Sequence, residues 1–445
     1  MSSVEDKNLS LAICSTLDYL GFSKEQIVYR AEHMDKVSQI YTNASSLGSV
    51  LIVGSRGEGV GLSDSDTDIM KIFKHVICVD ESFADGDLIV LRADYTNTEP
   101  GYIKVEGKNM YISNKGVKDR LIESAIPPNL SDLNFNFNLT GPAIHFFACD
   151  IDTDYVYCTS FYGGNYLSRW TNRTRNYAWP PRKVRHEVSQ MEGYIVPIGS
   201  KQGDMQEYEW RICYTTAEKK LVSSLSDIQV KAYVLLKIMA KTLLKPKCKF
   251  LTSYVIKNVI FWVMEMTHFG QLSPSHIVYL IQKAIFFIKN CITNNHLPNY
   301  MIPERNLLKG AVLGKEKEGV INFLSDCLEQ GGSILLQIPK LYTCISLTIS
   351  KPDLFLAFRK WRNEAERSVF VFAYDATKSL HNVDINTSKT FDNIIQEAKK
   401  NVAFEARFNF VNILLPDLFS LLLSGKSMDD IRQIVNERSK LLDFL

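Results

Sequence analysis

Residues 51–72 read LIVGSRGEGVGLSDSDTDIMKI, and this stretch decides how the first half of the chain is interpreted. A short apolar run ends at Gly54-Ser55, so backbone N–H groups and a hydroxyl can face an anion such as a triphosphate. Three further glycines keep the loop free of bulky side chains. Because side chains alternate along a strand, Asp66 and Asp68 lie on one face of the strand that follows, a few ångströms apart.

Two carboxylates this close repel each other unless cations lie between them, so Asp66 and Asp68 predict a divalent-metal site. A site for two ions, about 3.5–4 Å apart, needs a third carboxylate, which should come from a neighbouring strand. Asp150, Asp152 and Asp154 share one face of the stretch ACDIDTDYVYC. We prefer Asp154, which leads into the most apolar strand, and place Asp152 second. For Asp66 and Asp68, the alternative is an Asp-rich turn that leads into an edge strand. For the segment 150–154, the alternative is a solvated acidic loop.

The composition is that of a globular protein with a sizeable core. The chain has 445 residues, of which 46% are hydrophobic and 22% charged, and its formal net charge is +2. This length predicts two to three domains or one large bilobed unit. The composition excludes a disordered chain, a collagen and a small disulfide scaffold. Near neutrality argues against a generally basic nucleic-acid coat, so any polyanion site must come from local clustering.

The hydrophobic pattern divides the chain into three parts. The first 45 residues predict helices, with a capping box at residues 23–26 and a long helix ending near Asn43. Short strands follow, with one at 66–79 and a strand-like stretch at 144–160. Beyond residue 209, apolar residues recur at three- and four-residue spacing, which is typical of helices. We therefore predict an α/β domain over 1–208, a helical domain over 209–345 and a further helical region of unknown role over 346–445.

The cysteine pattern and the absence of targeting signals favour a cytoplasmic protein. Nine cysteines are scattered along the chain without a CxxC pair, which is typical of reduced, buried thiols. The N-terminus lacks the apolar core of a secretory signal, and the apolar stretch at 413–423 is too short to span a bilayer. No membrane association is expected.

The Gly-Ser turn and the paired aspartates belong to a longer series of motifs. In order and in rough spacing, this series resembles the cyclic GMP–AMP synthase-like (cGAS-like) receptor and Mab (male-abnormal) domain family over about residues 20–345. Each motif is short, and their order of appearance carries the resemblance. The later motifs are GPA (141–143), DYV (154–156), WP (179–180), VPIGSK (196–201), EWRICY (209–214), AEK (217–219), LLK (235–237), LTSY (251–254) and PNYMIPE (298–304).

The resemblance implies a bilobed nucleotidyltransferase fold, with a mixed β-sheet catalytic lobe and a helical-bundle C-terminal lobe. It implies that Asp66, Asp68 and Asp154 are catalytic and hold two Mg²⁺ or Mn²⁺ ions. The residues implied in nucleotide binding come from five segments. They are Gly54 and Ser55 for phosphate, Arg211 and Thr215 for a base, Lys237 and Ser253 for phosphate, and Tyr254 for stacking.

The implied activity is synthesis of a cyclic dinucleotide second messenger from ATP and/or GTP, by two successive nucleotidyl transfers in one pocket. The product would act through a downstream cyclic-dinucleotide receptor, and the protein would be an innate immune sensor. Two alternatives remain open from the sequence. One is a catalytically inactive Mab-domain scaffold or developmental protein. The other is a linear oligonucleotide synthase of the oligoadenylate-synthase type.

Members of this family commonly respond to double-stranded nucleic acid, and one local cluster is a candidate contact. Six cations fall within residues 169–185 with no acid among them, interleaved with aromatic residues. The alternative is a solvated basic face. The chain has no counterpart of the zinc-binding insertion of vertebrate DNA-sensing members, which favours RNA over DNA as the ligand and leaves another activating ligand open. The candidate contacts are Arg169, Arg173, Arg175, Arg182, Lys183 and Arg185.

Overall fold

The computed structural model describes residues 4–374. Short gaps fall at 63–64, 82–85, 109, 126–136, 149–150, 202–204, 269–271, 310, 312–314, 354, 357, 361, 365, 368–369 and 371–373. Only the backbone is described at 122–125, 137–140, 146–148, 151–152 and 315. The predicted region 346–445 therefore lies mostly outside the described residues, and its role stays open.

Two helices open the fold, α1 (Val4–Tyr19) and α2 (Lys24–Ala44). The side chain of Ser23 caps α2 by accepting a hydrogen bond from the backbone N–H of Gln26, which satisfies one of the free donors of the first turn. The predicted start and end of this long helix are thus confirmed. Gly21, with φ +81°, makes the turn between the two helices.

A mixed sheet follows, interrupted by short helices. Its elements, in chain order, are β1 (Gly48–Val53), α3 (Gly54–Gly57), β2 (Thr67–Val79), β3 (Ile89–Asp94), β4 (Tyr102–Gly107), β5 (Met110–Tyr111), α4 (Asn114–Ala125), β6 (Phe137–Thr140), β7 (Ala143–Ala148), β8 (Ile151–Tyr162), α5 (Tyr166–Asn172), α6 (Arg182–Ser189), β9 (Gly193–Val196) and β10 (Glu209–Cys213). The strand-like stretch at 144–160 proves to be two antiparallel strands, β7 and β8.

The strand order is β1-β2-β3-β4-β10-β9-β8-β7-β6, with β5 beside β4. An additional parallel pairing of β2 with β8 joins two distant points of that path. The β2–β3 pair is also parallel, and the other pairs are antiparallel, so the sheet is mixed. The β2–β8 pairing matters most for function because it brings the two acidic segments of the sequence side by side.

Helices follow the last strand, as the sequence predicts. They are α7 (Thr215–Ser223), α8 (Asp227–Met239), α9 (Ser253–Glu265), α10 (Ile277–Thr293), α11 (Lys315–Glu329) and α12 (Pro339–Ser350). A π-helical turn, Ala240–Leu244, continues α8. Among the described helices, none is both long and apolar enough to cross a bilayer. The pair Gly331–Gln337 and Pro339–Ser350 meets that test by length and composition, but it bends by 102°.

One large apolar core joins the sheet to the helices. Nearly every residue of α8 is buried, which explains why its apolar pattern runs all round the helix. Burying each Leu or Ile side chain contributes about 1.5–3 kcal/mol, so this helix is fixed firmly against α9 and α10. The division at residues 208 and 345 and the bilobed arrangement stay predictions.

Candidate active site

Three carboxylates come together where β2 and β8 run in parallel. The register pairs Asp68 directly with Asp154, and Asp66 lies just before β2. Carboxylate oxygens of the three residues lie within 4.8 Å of one another. Of the other acidic residues considered on this segment, Asp150 lies outside the described residues, and the side chain of Asp152 is not described.

The electrostatics of this group suit a bound cation. Burial, and then the like charges of Asp66 and Asp154, raise the pKa of Asp68 to about 7. The ionised carboxyl is therefore disfavoured unless a positive charge offsets it. The donors are all carboxylate oxygens, the ligands that Mg²⁺ and Mn²⁺ prefer. The three residues thus fit a divalent ion.

A contact with His145 orients Asp154. The Nδ1 of His145, on the neighbouring strand β7, lies 2.8 Å from Asp154 Oδ1. Hydrogen bonds of this kind to a metal-binding carboxylate hold it in a fixed direction. The sequence analysis did not identify this histidine, whose only signal is its position in a strand next to the acidic one.

Gly54 is required by the close approach of Asp68. It has φ +62°, and a Cβ atom at this position would lie 1.8 Å from Asp68 Oδ2. The following residue, Ser55, is the second residue of the single turn α3, and it lines the same cavity as Asp66 and Asp68. Sequence reasoning predicted a glycine loop here, and the structure makes it a tight turn held against the acidic strand.

Lys237 lies behind this turn. Its side chain is buried, and its Nζ donates to Ser55 Oγ and to the Val60 carbonyl, at 2.8 Å each. The ammonium therefore stabilises the turn that presents Ser55, while its predicted contact with phosphate stays a prediction. Two exposed lysines further along the same helical stretch, Lys241 and Lys245, also line the cavity. Lys241 lies in the π-helical turn Ala240–Leu244, and turns of this kind are frequent at functional sites.

A cavity of about 740 Å³ unites these groups. Its walls come from β1, β2, β10 and the helices α3, α7, α8 and α9. Such a volume falls within the range of small-molecule sites, about 300–1,000 Å³. Every residue predicted to contact nucleotide lines it, namely Gly54, Ser55, Arg211, Thr215, Lys237, Ser253 and Tyr254.

Arg211, on β10, and Tyr254, on α9, both line the cavity. The Nε of Arg211 is buried and has no hydrogen-bond partner among the described residues. The Tyr254 hydroxyl donates to Glu218 Oε1 at 3.1 Å and accepts from Asn299 Nδ2 at 2.8 Å. Burial, and then Glu218, raise the pKa of Tyr254 to about 12, so the phenol is neutral. Its ring is thereby held by its hydroxyl end.

A buried ion cluster, Glu58–Lys257–Glu218, was missed from the sequence. The Lys257 ammonium lies 2.8 Å from a carboxylate oxygen of each glutamate, and the three side chains are 8% exposed or less. Burial lowers the pKa of Lys257, but Glu218 and Glu58 outweigh it, so the net shift is upward and the amine stays charged. The cluster joins the Gly-Ser turn to α7 and α9. Its only sequence signal was Glu218 within the AEK motif.

The basic run at 169–185 divides into two parts. Arg173 and Arg175 both pair with the buried Glu265, at 2.7 and 2.9 Å, and their guanidinium groups pack over aromatic rings. Arg169 pairs with Glu304 at the surface. The remaining cations lie on α6, where Arg182 and Lys183 are exposed and Arg185 is partly buried. Their contact with a polyanion stays a prediction, and it rests mainly on α6.

Comparison with known proteins agrees with this geometry. Residues 229–330 match the Mab-21 protein HhH/H2TH-like domain. The chain is also 25% identical over 168 residues to the cyclic GMP-AMP synthase of Mus musculus. That alignment covers 34% of this chain and 32% of the mouse enzyme, so the chain spans about a third of the length of this relative. These matches support the resemblance of the chain to the cGAS-like and Mab-21 nucleotidyltransferase family.

Proposed function

We propose that this protein is a metal-dependent nucleotidyltransferase that makes a cyclic dinucleotide from ATP and/or GTP. The observation that carries the proposal is the convergence of Asp66, Asp68 and Asp154 within 4.8 Å, with Asp66 and Asp68 lining the same cavity as the Gly-Ser turn. A carboxylate group alone could be a solvated acidic patch. Beside an anion-binding turn, it has the arrangement that phosphoryl chemistry requires.

The three aspartates would hold two Mg²⁺ or Mn²⁺ ions. When bound, such ions neutralise charge on the triphosphate and activate the attacking ribose hydroxyl. The chain's own residues position the substrates. Ser55 offers its hydroxyl and the turn its backbone N–H groups to phosphate, and Ser253 faces the same space at the start of α9.

Arg211 and Tyr254 would select and orient the bases. Arg211 presents a planar fork of donors, whose buried Nε leaves hydrogen-bonding capacity for a ligand. Tyr254, held through its hydroxyl, offers a flat face for stacking. In this scheme a ribose hydroxyl attacks an α-phosphate, pyrophosphate leaves, and the linear product turns round for a second transfer that closes the ring. Positioning supplies much of the rate.

The same proposal includes a bilobed enzyme that acts as an innate immune sensor in the cytoplasm. The described cysteines are all free thiols, which supports a reducing compartment. The exposed basic face of α6 supports a double-stranded RNA ligand, and the net charge of +2 predicts that binding is modest and sensitive to salt. The product would act through a separate cyclic-dinucleotide receptor.

The test is a product assay. The protein is incubated with ATP, GTP and Mg²⁺ or Mn²⁺, with and without double-stranded RNA or DNA, and products are identified by mass spectrometry. We expect a cyclic dinucleotide, produced faster with RNA. Linear oligonucleotides alone would indicate an oligoadenylate-type synthase. The absence of both product and metal-dependent nucleotide binding by calorimetry would indicate a non-catalytic scaffold and overturn the proposal.

A double substitution tests the ligand face separately. Arg182→Ala with Lys183→Ala removes two exposed charges from α6, so RNA binding should weaken and its salt dependence should become less steep. Arg173→Ala is a poor probe because that side chain pairs with Glu265. The matched control is Lys247→Ala with Lys249→Ala, in the exposed segment after the π-helical turn.

A further inference from the structure

The segment that follows α12 packs against α1 and α2. Its described residues between 352 and 374 are helical. Phe355 meets Tyr19 with ring centroids 5.7 Å apart, and Phe370 meets His33 at 4.6 Å. Residues 355, 362, 366 and 370 lie on one helical face, because they are spaced by seven and four. This segment therefore packs against the end of α1 and along α2.

Glu366 is the polar centre of that contact. Its carboxylate accepts from the Nε of Arg30 at 2.6 Å, from the Nη1 of Arg362 at 3.1 Å and from Gln26. The side chains of Arg30 and Arg362 are 9% and 6% exposed. Burial raises the pKa of Glu366, but Arg30 and Arg362 outweigh it and lower it overall. The carboxylate thus compensates two largely buried guanidinium groups.

Arg30 extends from this carboxylate to the turn of the active site. Its Nη2 donates to the Gly21 carbonyl at 2.7 Å, and its Nη1 donates to the Gly59 carbonyl at 3.3 Å. Gly59 lies directly against α2: it has φ +76°, and a Cβ there would be 2.2 Å from the Ile27 carbonyl oxygen. The loop after α3 is therefore positioned by α2 and by the Arg30 guanidinium.

A continuous set of contacts links Glu366 to the Ser55 hydroxyl. The residue after Gly59, Val60, accepts from Lys237, and Lys237 also donates to Ser55. The backbone N–H of Val60 in turn donates to the Ser55 carbonyl at 3.0 Å. Small changes at Gly59 are thus transmitted to the group that faces the cavity, because buried, packed contacts do not deform freely.

We propose that Arg30 is a positioning residue for the loop at 54–61, and that the segment at 352–374 holds Arg30 in place through Glu366. The physical reason is that a buried guanidinium needs its countercharge. Without the Glu366 carboxylate, Arg30 turns toward solvent and the Gly59 carbonyl loses its donor. The C-terminal segment then belongs to the machinery that shapes the nucleotide site. Its effect on nucleotide binding rests on the proposed function.

The test compares Glu366→Gln with Asp353→Asn in the full chain. Each change removes one negative charge from the same segment, but Asp353 is exposed. Hydrogen exchange of the metal-free, nucleotide-free protein is followed by mass spectrometry. We expect exchange over residues 54–61 to accelerate about tenfold in Glu366→Gln and to stay unchanged in Asp353→Asn. Acceleration confined to residues 19–33 and 352–374 would overturn the proposal, since it would show a merely structural contact.

Calorimetry with ATP and Mn²⁺ provides the second readout. Glu366→Gln should weaken ATP binding at least about fivefold, with Asp353→Asn as wild type. If the wild-type chain binds no ATP, the proposed function fails while the exchange experiment still decides the role of Arg30. If Glu366→Gln does not fold, Glu366→Asp takes its place because it keeps the charge and shortens the side chain. Unchanged exchange at 54–61 in Glu366→Asp overturns the proposal, and faster exchange supports it.

Discussion

Two acidic groups contribute residues to the same cavity, and they differ in how their charge is compensated. Glu58 and Glu218 share the Lys257 ammonium at 2.8 Å, and the three side chains are 8% exposed or less. Asp66, Asp68 and Asp154 lie within 4.8 Å of one another, and the pKa of Asp68 rises to about 7, first through burial and then through those neighbours. An acidic group with an internal cation is a structural brace. One whose ionised form is disfavoured is suited to take its cation from solution.

The largest expected effect comes from removing charge from the second group. Asp66→Asn with Asp68→Asn should lower nucleotidyl transfer at least about 10³-fold, equivalent to about 4 kcal/mol of transition-state stabilisation. The measurement is the initial rate of product formation under saturating Mn²⁺. The control is Asp119→Asn, an exposed position on α4. Full activity in the double variant would show that these carboxylates do not hold the reactive ions.

The next largest effect is expected at the Glu58–Lys257–Glu218 cluster, where a substitution should lower the stability of the protein. Lys257→Met leaves Glu58 and Glu218 buried without their cation, which should cost about 3–5 kcal/mol of unfolding free energy. Urea denaturation followed by circular dichroism measures this. Lys247→Met, at an exposed position, should change it by less than about 0.5 kcal/mol. Equal stability of the two variants would refute the distinction between the groups.

The acidic triad was foreseeable, and the brace was not, for a physical reason. Asp66 and Asp68 are two residues apart at the start of β2, so extended backbone places them on one face whatever the rest of the chain does. The prediction of Asp154 required only that its strand, β8, lie beside β2. Lys257 and Glu58 are separated by 199 residues, and a buried lysine looks the same in a sequence as an exposed one.

The same limit explains the basic run at 169–185. Its charge density is a local property, and the sequence displays it directly. Whether an arginine faces solvent depends on a distant partner, and Glu265 lies 92 residues beyond Arg173. The fold shows the same division between local and distant properties. The start of α2 and the alternation of side chains along the strands are local, and the sequence predicted both correctly. The turn between β7 and β8 and the pairing of β2 with β8 depended on tertiary structure.

A smaller effect is expected from the residue that orients the third carboxylate. His145→Ala removes the 2.8 Å contact with Asp154 Oδ1 and leaves all three aspartates in place. Loss of such a supporting contact typically weakens metal binding by 10–100-fold, and we expect about tenfold here. Titration with Mn²⁺, followed by electron paramagnetic resonance, measures the affinity. His75→Ala, an exposed position on β2, is the control and should leave the affinity unchanged.

A last prediction concerns the dependence of stability on pH in a chelating buffer, and it distinguishes the two groups without any assay of activity. The folded pKa of Asp68, about 7, lies above the ordinary value of 3.8, so the folded protein binds this proton more tightly than the unfolded chain. The resulting stability is complete below about pH 4 and is lost as the pH rises through about 7. The melting temperature of the wild type should therefore fall, relative to that of Asp68→Asn, between those values. Saturating Mn²⁺ should abolish the difference in slope, because a bound cation favours the ionised carboxylate. If the melting temperatures of the wild type and Asp68→Asn change with pH in parallel in chelator, Asp68 ionises normally. The contrast with the internally compensated Glu58–Lys257–Glu218 cluster would then disappear.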